Sequence, residues 1–364
     1  MNLSNAERKR KKSSTVEHVQ VMLRMKEEIM KKTLVTLMLL AGSSLVFGEE
    51  VVVYGPSSMK WIGKKYGKIF SEKTGDTLKF VSIDGIVGRL KLEKRNPKAD
   101  IVVGMTEFTT ELARRENLIL PYVPKNIGAI KKDEFKMQSE YVVPIDYGFL
   151  AFNYNKDIIK NPPKNLKEFR KLSKKLLVES PRLSNTGQEA LQWSIALYGE
   201  NYMDFWKDLK PAIYSVESGW GDAFAKFTAG EAPIMLGYAT SNLFFTGEEN
   251  SKYDSFLIED GTFMYQEGAS LVLKKNVKDG AKKFMEQILT PEFQNLVVSK
   301  NYMFPVTNIE LSDGFKNVPV PEKIVKMSPE QIDYFIENLD GFGFCCCCFL
   351  RSLHILDINY LSDI

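Results

Sequence analysis

The sequence predicts an α/β protein of two lobes, in which a central block of helices and strands is inserted into the first lobe. At 364 residues the chain exceeds what one hydrophobic core usually supports. Strand and helix patterns alternate from residue 50 to residue 105, which requires parallel strands joined by helical crossovers. Two long extended segments flank the middle of the chain, and together they would form a hinge that lets the lobes close.

The first lobe begins with a short apolar strand, Glu50 to Gly55, followed by a helical pattern that ends at Gly75. A strand in "TLKFVSID", a helix in "GIVGRLKLEKRNP" and a strand in "ADIVVGM" follow. In such sheets ligands bind beyond the carboxyl ends of the strands. We therefore expect three loops to converge there: Tyr54 to Ser58, Asp84-Gly85 and Gly104 to Glu107.

The two extended segments, Tyr141 to Asn155 and Gly261 to Lys275, define the limits of the second lobe. Between them Asn161-Pro162-Pro163 is a linker signal, after which helices and short strands resume. We predict lobe 1 over residues 49–142 and 262–320, lobe 2 over 143–261, and a C-terminal helical segment over 321–344.

The first 48 residues have the composition of an export signal preceded by an extension. Residues 1–29 are polar, and we interpret them as lying outside the natural protein. From Met30 a basic start, an apolar run from Leu34 to Phe47 and small residues before Glu49 are typical of a signal peptide. The apolar run is too short to span a bilayer comfortably. We expect residues 30–48 to be removed by cleavage after Gly48.

The C-terminal residues 345–364 also have an atypical composition. All four cysteines are contiguous, from Cys345 to Cys348. Metal sites and redox pairs need spacers between cysteines so that the sulfurs can converge. We therefore interpret this tail as frameshifted or otherwise foreign, with a functional element as the alternative.

The body between these ends lacks the residue types that several classes of catalytic and metal site require. Of the 49 basic and 46 acidic residues, 10 and 6 lie in the ends, which leaves a net charge of about −1 and no indication of nucleic-acid binding. Both histidines, His18 and His354, and all cysteines also lie in the ends, so a His triad, a His metal site and a Cys nucleophile are excluded. Carboxylate-pair chemistry stays possible on composition alone.

Five segments of the body, taken in order, carry a resemblance to a known family. They are "NPKADIVVG", "VPIDYGFLAFNYNKDIIKNPPKNLKE", "SPRLSNTGQEALQW", "SGWGDAFAKFTAGEAPIMLGYATS" and "NYMFPVTNIELSDGF". On these residues the chain resembles the periplasmic thiamine-binding proteins of bacterial ABC importers, which belong to the group of iron, polyamine and thiamine binders with the type II periplasmic-binding fold. The resemblance implies a periplasmic monomer that carries thiamine or its phosphates to a membrane permease, without enzymatic activity or cofactor.

The same resemblance implies a set of ligand-binding residues. Thiamine is a flat heteroaromatic cation, and ring faces with a nearby carboxylate suit such a ligand. Asp84 matches the family's acid, and Trp220 and Tyr238 match its rings. Ser184 and Gly187 match a loop that approaches the hydroxyethyl or phosphate end of the ligand, where a helix N-terminus offers free N–H groups. The remaining candidates are Gly85, Ser57, Ser58, Trp61, Phe244 and Tyr302.

Each of these residues also has a purely structural interpretation. Asp84 could form an Asx turn or cap the following helix, and Ser184 with Gly187 could provide ordinary capping. Trp220 and Tyr238 could be core residues.

Three positions depart from the family pattern, so the ligand stays open between thiamine, its phosphates and a related pyrimidine. Phe244 replaces a second tyrosine, Tyr302 replaces a tryptophan, and Pro56 replaces a tyrosine. The alternatives are a ferric-ion or polyamine binder of the same superfamily, or an extracellular carboxylate-dependent hydrolase. Iron binders of the group commonly use adjacent tyrosines, and the sequence contains no Tyr-Tyr pair.

Overall fold

The structure, a computed structural model, describes residues 22, 24–32, 48–83, 85–137, 139–181, 183–245 and 248–337. Asp84, the tail at 345–364 and most of the expected extension and signal peptide lie outside the described residues. Within the N-terminal unit Met1–Phe47, residues 24–32 are helical. No helix in the described part of the chain combines the length and apolarity needed to cross a membrane. The following account concerns the second unit, Gly48–Ile364.

Twelve strands and ten α-helices occur among the described residues of this unit. The strands are β1 Glu50–Gly55, β2 Thr77–Ser82, β3 Ile101–Met105, β4 Ile119–Leu120, β5 Val143–Asn155, β6 Leu176–Glu179, β7 Ile213–Glu217, β8 Ile234–Tyr238, β9 Tyr253–Phe256, β10 Thr262–Val272, β11 Phe304–Pro305 and β12 Ile324–Val325. The helices are α1 Gly67–Thr74, α2 Ile86–Glu93, α3 Glu107–Arg115, α4 Leu166–Phe169, α5 Asn185–Tyr198, α6 Tyr202–Leu209, α7 Trp220–Thr228, α8 Asp279–Gln287, α9 Pro291–Leu296 and α10 Pro329–Glu337.

The strands form one continuous path in the order β2-β1-β3-β10-β5-β8-β6-β7. At one end β1 pairs in parallel with β2 and β3, and at the other end β6 pairs in parallel with β7 and β8. In the middle β10 and β5 are antiparallel to each other. The strand and helix alternation at residues 50–105 therefore gives the parallel pairing that the sequence predicts.

The two long extended segments are the strands β5 and β10, and they connect the two parallel groups. The first part of β5 pairs with β10, and its last residues, from Leu150 to Tyr154, pair with β8. Every residue of β10 and all but one residue of β5 are buried. We propose that these strands are the hinge between the two predicted lobes.

Apolar residues cover both faces of each parallel group. Along β3, Ile101 and Val103 pack into one cluster with helices α1, α8 and α9, whereas Val102 and Met105 pack into another with α2. Along β8, Ile234 and Leu236 point to one cluster and Met235 to a second. Successive side chains of a strand point to opposite faces of the sheet. A fully apolar strand therefore needs packed layers on both faces, which is typical of parallel sheets. Because the helices cover the faces of the sheet, the edge at the carboxyl ends of the strands remains available for a ligand-binding site.

Candidate functional site

The carboxyl ends of β1, β2 and β3 meet at one edge of the sheet, as the sequence predicts. The amide of Ile83, next to Asp84, donates a hydrogen bond of 2.9 Å to the Gly55 carbonyl oxygen. Gly104 has a φ of +78°, and a Cβ there would lie 2.7 Å from Cδ of Pro56. The chain can therefore bring these loops together only with glycine at position 104.

The first-lobe candidates lie along this edge. Ser57 and Ser58 are exposed in a 3-10 turn that follows β1. Gly85 is exposed and precedes α2 with a φ of +64°, the left-handed conformation that favours glycine. Asp84 is outside the described residues, so its predicted role as the ligand's counter-charge stays a prediction.

Trp61 lies in the core beneath the site. Only 6 % of its surface is exposed, and its ring meets Phe293 edge-on with 5.2 Å between centroids. Its indole N–H donates to Oδ1 of Asn301 at 3.2 Å, and the amide of Asn301 donates to Oδ2 of Asp146 at 2.7 Å. Trp61 therefore positions Asn301, which contacts the site, and is not itself part of the exposed surface.

A pair of acids faces across the two hinge strands. Asp146 of β5 and Glu267 of β10 are register partners, and they are 0 % and 4 % exposed. Burial and the Glu267 charge raise the pKa of Asp146 well above its usual range. Burial raises the pKa of Glu267 to about 7, although hydrogen bonds from Tyr265 and Asn185 partly oppose the shift. Two ionised acids directly opposite each other would destabilise a sheet, and the raised pKa values reduce that repulsion by favouring protonation.

The start of α5 lies against these acids. The hydroxyl of Ser184 accepts a 3.4 Å hydrogen bond from the Gly187 amide, which caps the helix. A Cβ on Gly187 would lie 2.5 Å from the carbonyl carbon of Ser180 at the end of β6. Capping and close packing therefore account for both residues, whatever their part in ligand binding.

Tyr238 connects this helix to the acid pair. Its hydroxyl lies 2.9 Å from Oγ1 of Thr186 and donates to Oε2 of Glu189 at 3.3 Å. Its ring centroid is 5.3 Å from that of Tyr265, which precedes Glu267 by two residues. Burial, followed by the Glu189 charge, raises the pKa of the Tyr238 phenol well above its usual range. The phenol is therefore neutral and serves as a hydrogen-bond donor.

Two further buried acids lie around Tyr238. Neither carboxylate oxygen of Glu179 has a hydrogen-bond partner among the described residues, and Oε1 of Glu189 also lacks one there. Burial raises the pKa of both groups well above the usual range, and neighbouring acids raise it further: Glu217 for Glu179, and Glu267 for Glu189. Buried carboxylates without partners are costly, and a cationic ligand would lower that cost.

An aromatic cluster lies beside the acids. Trp220, the first residue of α7, stacks on Phe224 at 4.8 Å and contacts Phe244 at 5.4 Å between centroids. Phe244, which is 39 % exposed, contacts the Tyr302 ring at 4.6 Å. The Trp220 indole nitrogen is buried without an acceptor in the described part of the chain. Rings from both predicted lobes therefore meet at one place.

The structure divides the candidate residues into two neighbouring groups. Trp220, Phe244 and Tyr302 form the ring cluster, while Tyr238 lies with α5 and the acids. No ring contact between Trp220 and Tyr238 occurs among the described residues. The Cβ position of Gly237, the residue before Tyr238, is 3.3 Å from the indole nitrogen of Trp220. Asn301 connects the groups, since it precedes Tyr302 and donates to Asp146.

Sequence reasoning missed the acids that dominate this site. Asp146, Glu179 and Glu267 each lie in a largely apolar strand in which all residues, or all but one, are buried. Glu189 is buried in α5. The available signal was an acid within an apolar strand segment, as in "VPIDYGFLAF", "LLVE" and "TFMYQEGASLV". Because charged residues are almost never fully buried without a partner, that pattern indicates function.

The combination of neutral phenols, carboxylates and ring faces suits an organic cation. Ring faces attract positive charge, and buried carboxylates supply the counter-charge. Among the described residues no group of three or more His, Cys, Asp or Glu side chains is arranged to hold a metal ion.

Comparison with known proteins gives a consistent result. Residues 53–295 match the family model described as bacterial extracellular solute-binding protein. The thiamine-binding periplasmic protein of Salmonella typhimurium is 31% identical over 319 residues, which are 84% of this chain and 95% of the relative. The protein of the same name from Brucella abortus is 32% identical over 279 residues, covering 74% of this chain and 83% of the relative.

Solved structures agree with the fold. A periplasmic thiamin binding protein superposes with a TM-score of 0.74 at 28% identity, covering 80% of this chain and 93% of the other. The apo ferric ion-binding protein A of Pasteurella haemolytica has a TM-score of 0.72 at 18% identity, covering 86% of this chain and 100% of the other. At 18% identity, the similarity to the ferric ion-binding protein shows a shared fold alone.

Proposed function

This chain belongs to the family of bacterial extracellular solute-binding proteins, and from that premise we propose that it binds thiamine between its lobes for an ABC importer. Its fold is the two-lobed type II periplasmic-binding fold, and its activity is binding rather than catalysis. One observation of this chain supports the choice of ligand: buried carboxyl groups, some of whose oxygens have no hydrogen-bond partner among the described residues, lie near a cluster of aromatic rings. That combination fits a flat ligand with a permanent positive charge.

The proposal assigns the ligand's parts to the two groups of residues. The heteroaromatic rings would lie against Trp220, Phe244 and Tyr302, where stacking and cation–π attraction act together. The positive thiazolium would face Glu189 and Glu267. Asp84, Gly85, Ser57 and Ser58 would close the site from the edge of the first lobe.

We propose that closure of the lobes about β5 and β10 couples ligand binding to delivery of the ligand. Ligand would favour the closed arrangement because only that arrangement brings rings and acids from both lobes onto one molecule. The closed form would then dock on the membrane permease. We propose that the protein acts as a monomer in the periplasm after cleavage behind Gly48.

A ferric ion is the second candidate. The Tyr238 and Tyr265 phenols near Glu189 and Glu267 offer the oxygen ligands that a hard cation prefers. However, burial raises the pKa of both phenols well above the usual range, which disfavours the phenolate that would bind iron.

Calorimetric titration of the exported protein with thiamine, ferric citrate and spermidine tests the proposal. We expect one-to-one binding of thiamine, and Trp220→Ala should weaken it by about tenfold or more, because a cation–π contact with a desolvated ring is worth about 2 kcal/mol. Tyr214→Ala, on the exposed face of β7, is the matched control and should leave binding unchanged. Heat from ferric citrate or spermidine with none from thiamine would refute the assignment.

A further inference from the structure

Glu49, the residue expected to come first in the exported protein, is held by hydrogen bonds from three directions. Its main-chain N–H donates to Oδ1 of Asp76 at 2.8 Å, and its carbonyl oxygen accepts from the Thr77 amide at 2.8 Å. Its side-chain Oε2 accepts from the amide of Gly280, in the first turn of α8, at 2.6 Å. The start of β1 is therefore fixed to β2 and α8, whereas chain termini without such contacts are usually poorly ordered.

The chain that precedes Glu49 passes through a narrow space. Gly48 is exposed, but a Cβ at this position would overlap the carbonyl oxygen of Gly75 and lie 3.0 Å from Cα of Asp76. Because these neighbours are main-chain atoms, a side chain at position 48 would force one of the two segments to move. Cleavage after Gly48 removes this crowding and leaves the Glu49 nitrogen facing Asp76.

Asp76 is a buried carboxylate with one oxygen on each of two donors. It is 3 % exposed, and its Oδ2 accepts from Nζ of Lys283 at 2.8 Å while its Oδ1 accepts from the Glu49 N–H. Burial opposes ionisation, but the hydrogen bonds from Lys283 and from the main chain of Glu49 outweigh it and lower the pKa of Asp76. Asp76 is therefore ionised at neutral pH, with a cation on one oxygen and a neutral amide on the other.

The charged groups closest to the Glu49 nitrogen carry an excess of one negative charge. The carboxylates of Glu49 and Asp76 stand against the single ammonium of Lys283. The remaining charged groups on the adjoining strands and on α8 form pairs of their own among the described residues: Asp279 with Lys282 at 3.1 Å, Asp100 with Lys278 at 2.8 Å, and Glu50 with Lys79 at 3.9 Å. One positive charge at the Glu49 nitrogen would make this group neutral.

We propose that cleavage after Gly48 creates an ion pair between the new α-ammonium of Glu49 and Asp76, and that this pair completes the fold of the exported protein. The inference rests on the cleavage site put forward under the proposed function. Hydrolysis of the Gly48–Glu49 peptide bond consumes one water molecule and leaves a carboxylate on Gly48 and an ammonium on Glu49. The 2.8 Å hydrogen bond to Asp76 then becomes charge-assisted, and such bonds are about twice as strong as neutral ones. The uncleaved precursor has only the neutral bond.

The pKa of the α-amine in exported protein, produced from the full-length chain, tests the inference. An ordinary α-amine has a pKa of about 7.7–8.0, and we expect about 9 or higher here because the Asp76 carboxylate favours the charged form. Trace acetylation between about pH 6 and about pH 11, followed by mass spectrometry of the N-terminal peptide, measures this pKa. The same peptide identifies the first residue of the exported protein.

Two substitutions should move the α-amine pKa in opposite directions. Asp76→Asn should lower it by about one unit, because the counter-charge is lost. Lys283→Met should raise it by about half a unit or more, since the α-ammonium then no longer competes with a second cation for Asp76. Lys68→Met, an exposed change in α1, is the control and should leave the pKa unchanged.

The ion pair should also make stability depend on pH. Its folded-state pKa lies above that of the unfolded chain, so the stabilisation is present below about pH 8 and is lost as the pH rises through about 9. The melting temperature of wild-type protein should exceed that of Asp76→Asn by about 2 °C or more at about pH 7. This difference should shrink as the pH approaches about 10.

The possible results separate the ion pair from the proposals on which it rests. A first residue other than Glu49 would refute both the cleavage site and the ion pair. Glu49 in first place with an α-amine pKa of about 8, or with a pKa that Asp76→Asn leaves unchanged, would refute the ion pair alone. Thiamine binding by the same exported protein is measured separately, so its failure would refute the ligand assignment and not the ion pair.

Discussion

At the scale of single residues, the buried acids cost folding free energy, and we propose that they are kept for binding. Glu179 and Glu189 are nine-tenths buried or more, and both have carboxylate oxygens without partners in the described structure. Each could be replaced by its isosteric amide without changing the shape of the core. Natural proteins keep such costly groups mainly where function needs them, which is a known trade-off between stability and activity.

The pKa of Glu267 gives a direct stability test. Burial raises it to about 7, whereas the unfolded chain keeps the ordinary value near 4.5. Between these values the folded protein binds more protons than the unfolded chain, so stability falls as pH rises through about 7. Asp146, Tyr265, Glu189 and Tyr238 face the group and none supplies a positive charge.

We therefore expect Glu267→Gln to flatten the pH dependence of stability in ligand-free protein. Relative to wild type, the variant should gain up to about 3 kcal/mol between about pH 5 and about pH 8, at 1.36 kcal/mol for each pKa unit. Thermal unfolding followed by circular dichroism at several pH values measures the gain. A variant whose melting temperature follows the wild-type curve at every pH would contradict the assigned cause.

At the scale of elements, glycine positions show which contacts the helices require. Gly187 lets the first turn of α5 approach the end of β6, and a Cβ there would meet the Ser180 main chain at 2.5 Å. Gly88, in α2, is exposed with nothing within 4 Å of its Cβ position. The two positions look alike in the sequence but differ in their surroundings.

Gly187→Ala should destabilise the protein by about 1–3 kcal/mol, because main-chain atoms must shift to admit the methyl group. Gly88→Ala should instead stabilise it by about 0.5–1 kcal/mol, since glycine is a poor residue inside a helix. Urea unfolding of both variants gives the comparison. If both changes shift stability in the same direction, the proposed packing of α5 against β6 is wrong.

The elements also show how far sequence reasoning extends. It gave β1 with its observed limits and the two hinge strands to within a few residues, because apolar strands bounded by glycine and long extended segments are local signals. It did not give the pairing of Asp146 with Glu267 or the approach of Glu179 to α5. Those contacts depend on register between distant strands, which a single sequence does not specify.

The candidate site residues also show which contacts a single sequence does not specify. Trp220 contacts Phe244 and Phe244 contacts Tyr302, whereas Tyr238 lies in the neighbouring acidic group, and the part of these residues in ligand binding stays a prediction. Trp61 lies in the core because its ring fills space beside Phe293. Whether a tryptophan lines a cleft or a core depends on the helix opposite it, and the sequence near Trp61 carries no information about that helix.

At the scale of the whole molecule, we propose that one half of the fold and the strand β10 together provide the groups that contact one ligand. The half containing β6, β7 and β8 supplies Trp220, Phe244, Tyr238 and Glu189, while Glu267 lies on the hinge strand β10. A ligand that contacts all of them would stabilise the closed arrangement of the lobes, and this differential affinity is what a binding-protein importer requires.

A crystal structure of the exported protein with thiamine tests the central claim most directly. The account predicts the thiazolium within about 6 Å of the ring centroid of Trp220 or Tyr302, the usual limit for a cation–π contact, and facing the Glu189 and Glu267 carboxylates. Thiamine bound away from both the rings and these acids, with the carboxylates contacting only protein or water, would contradict it.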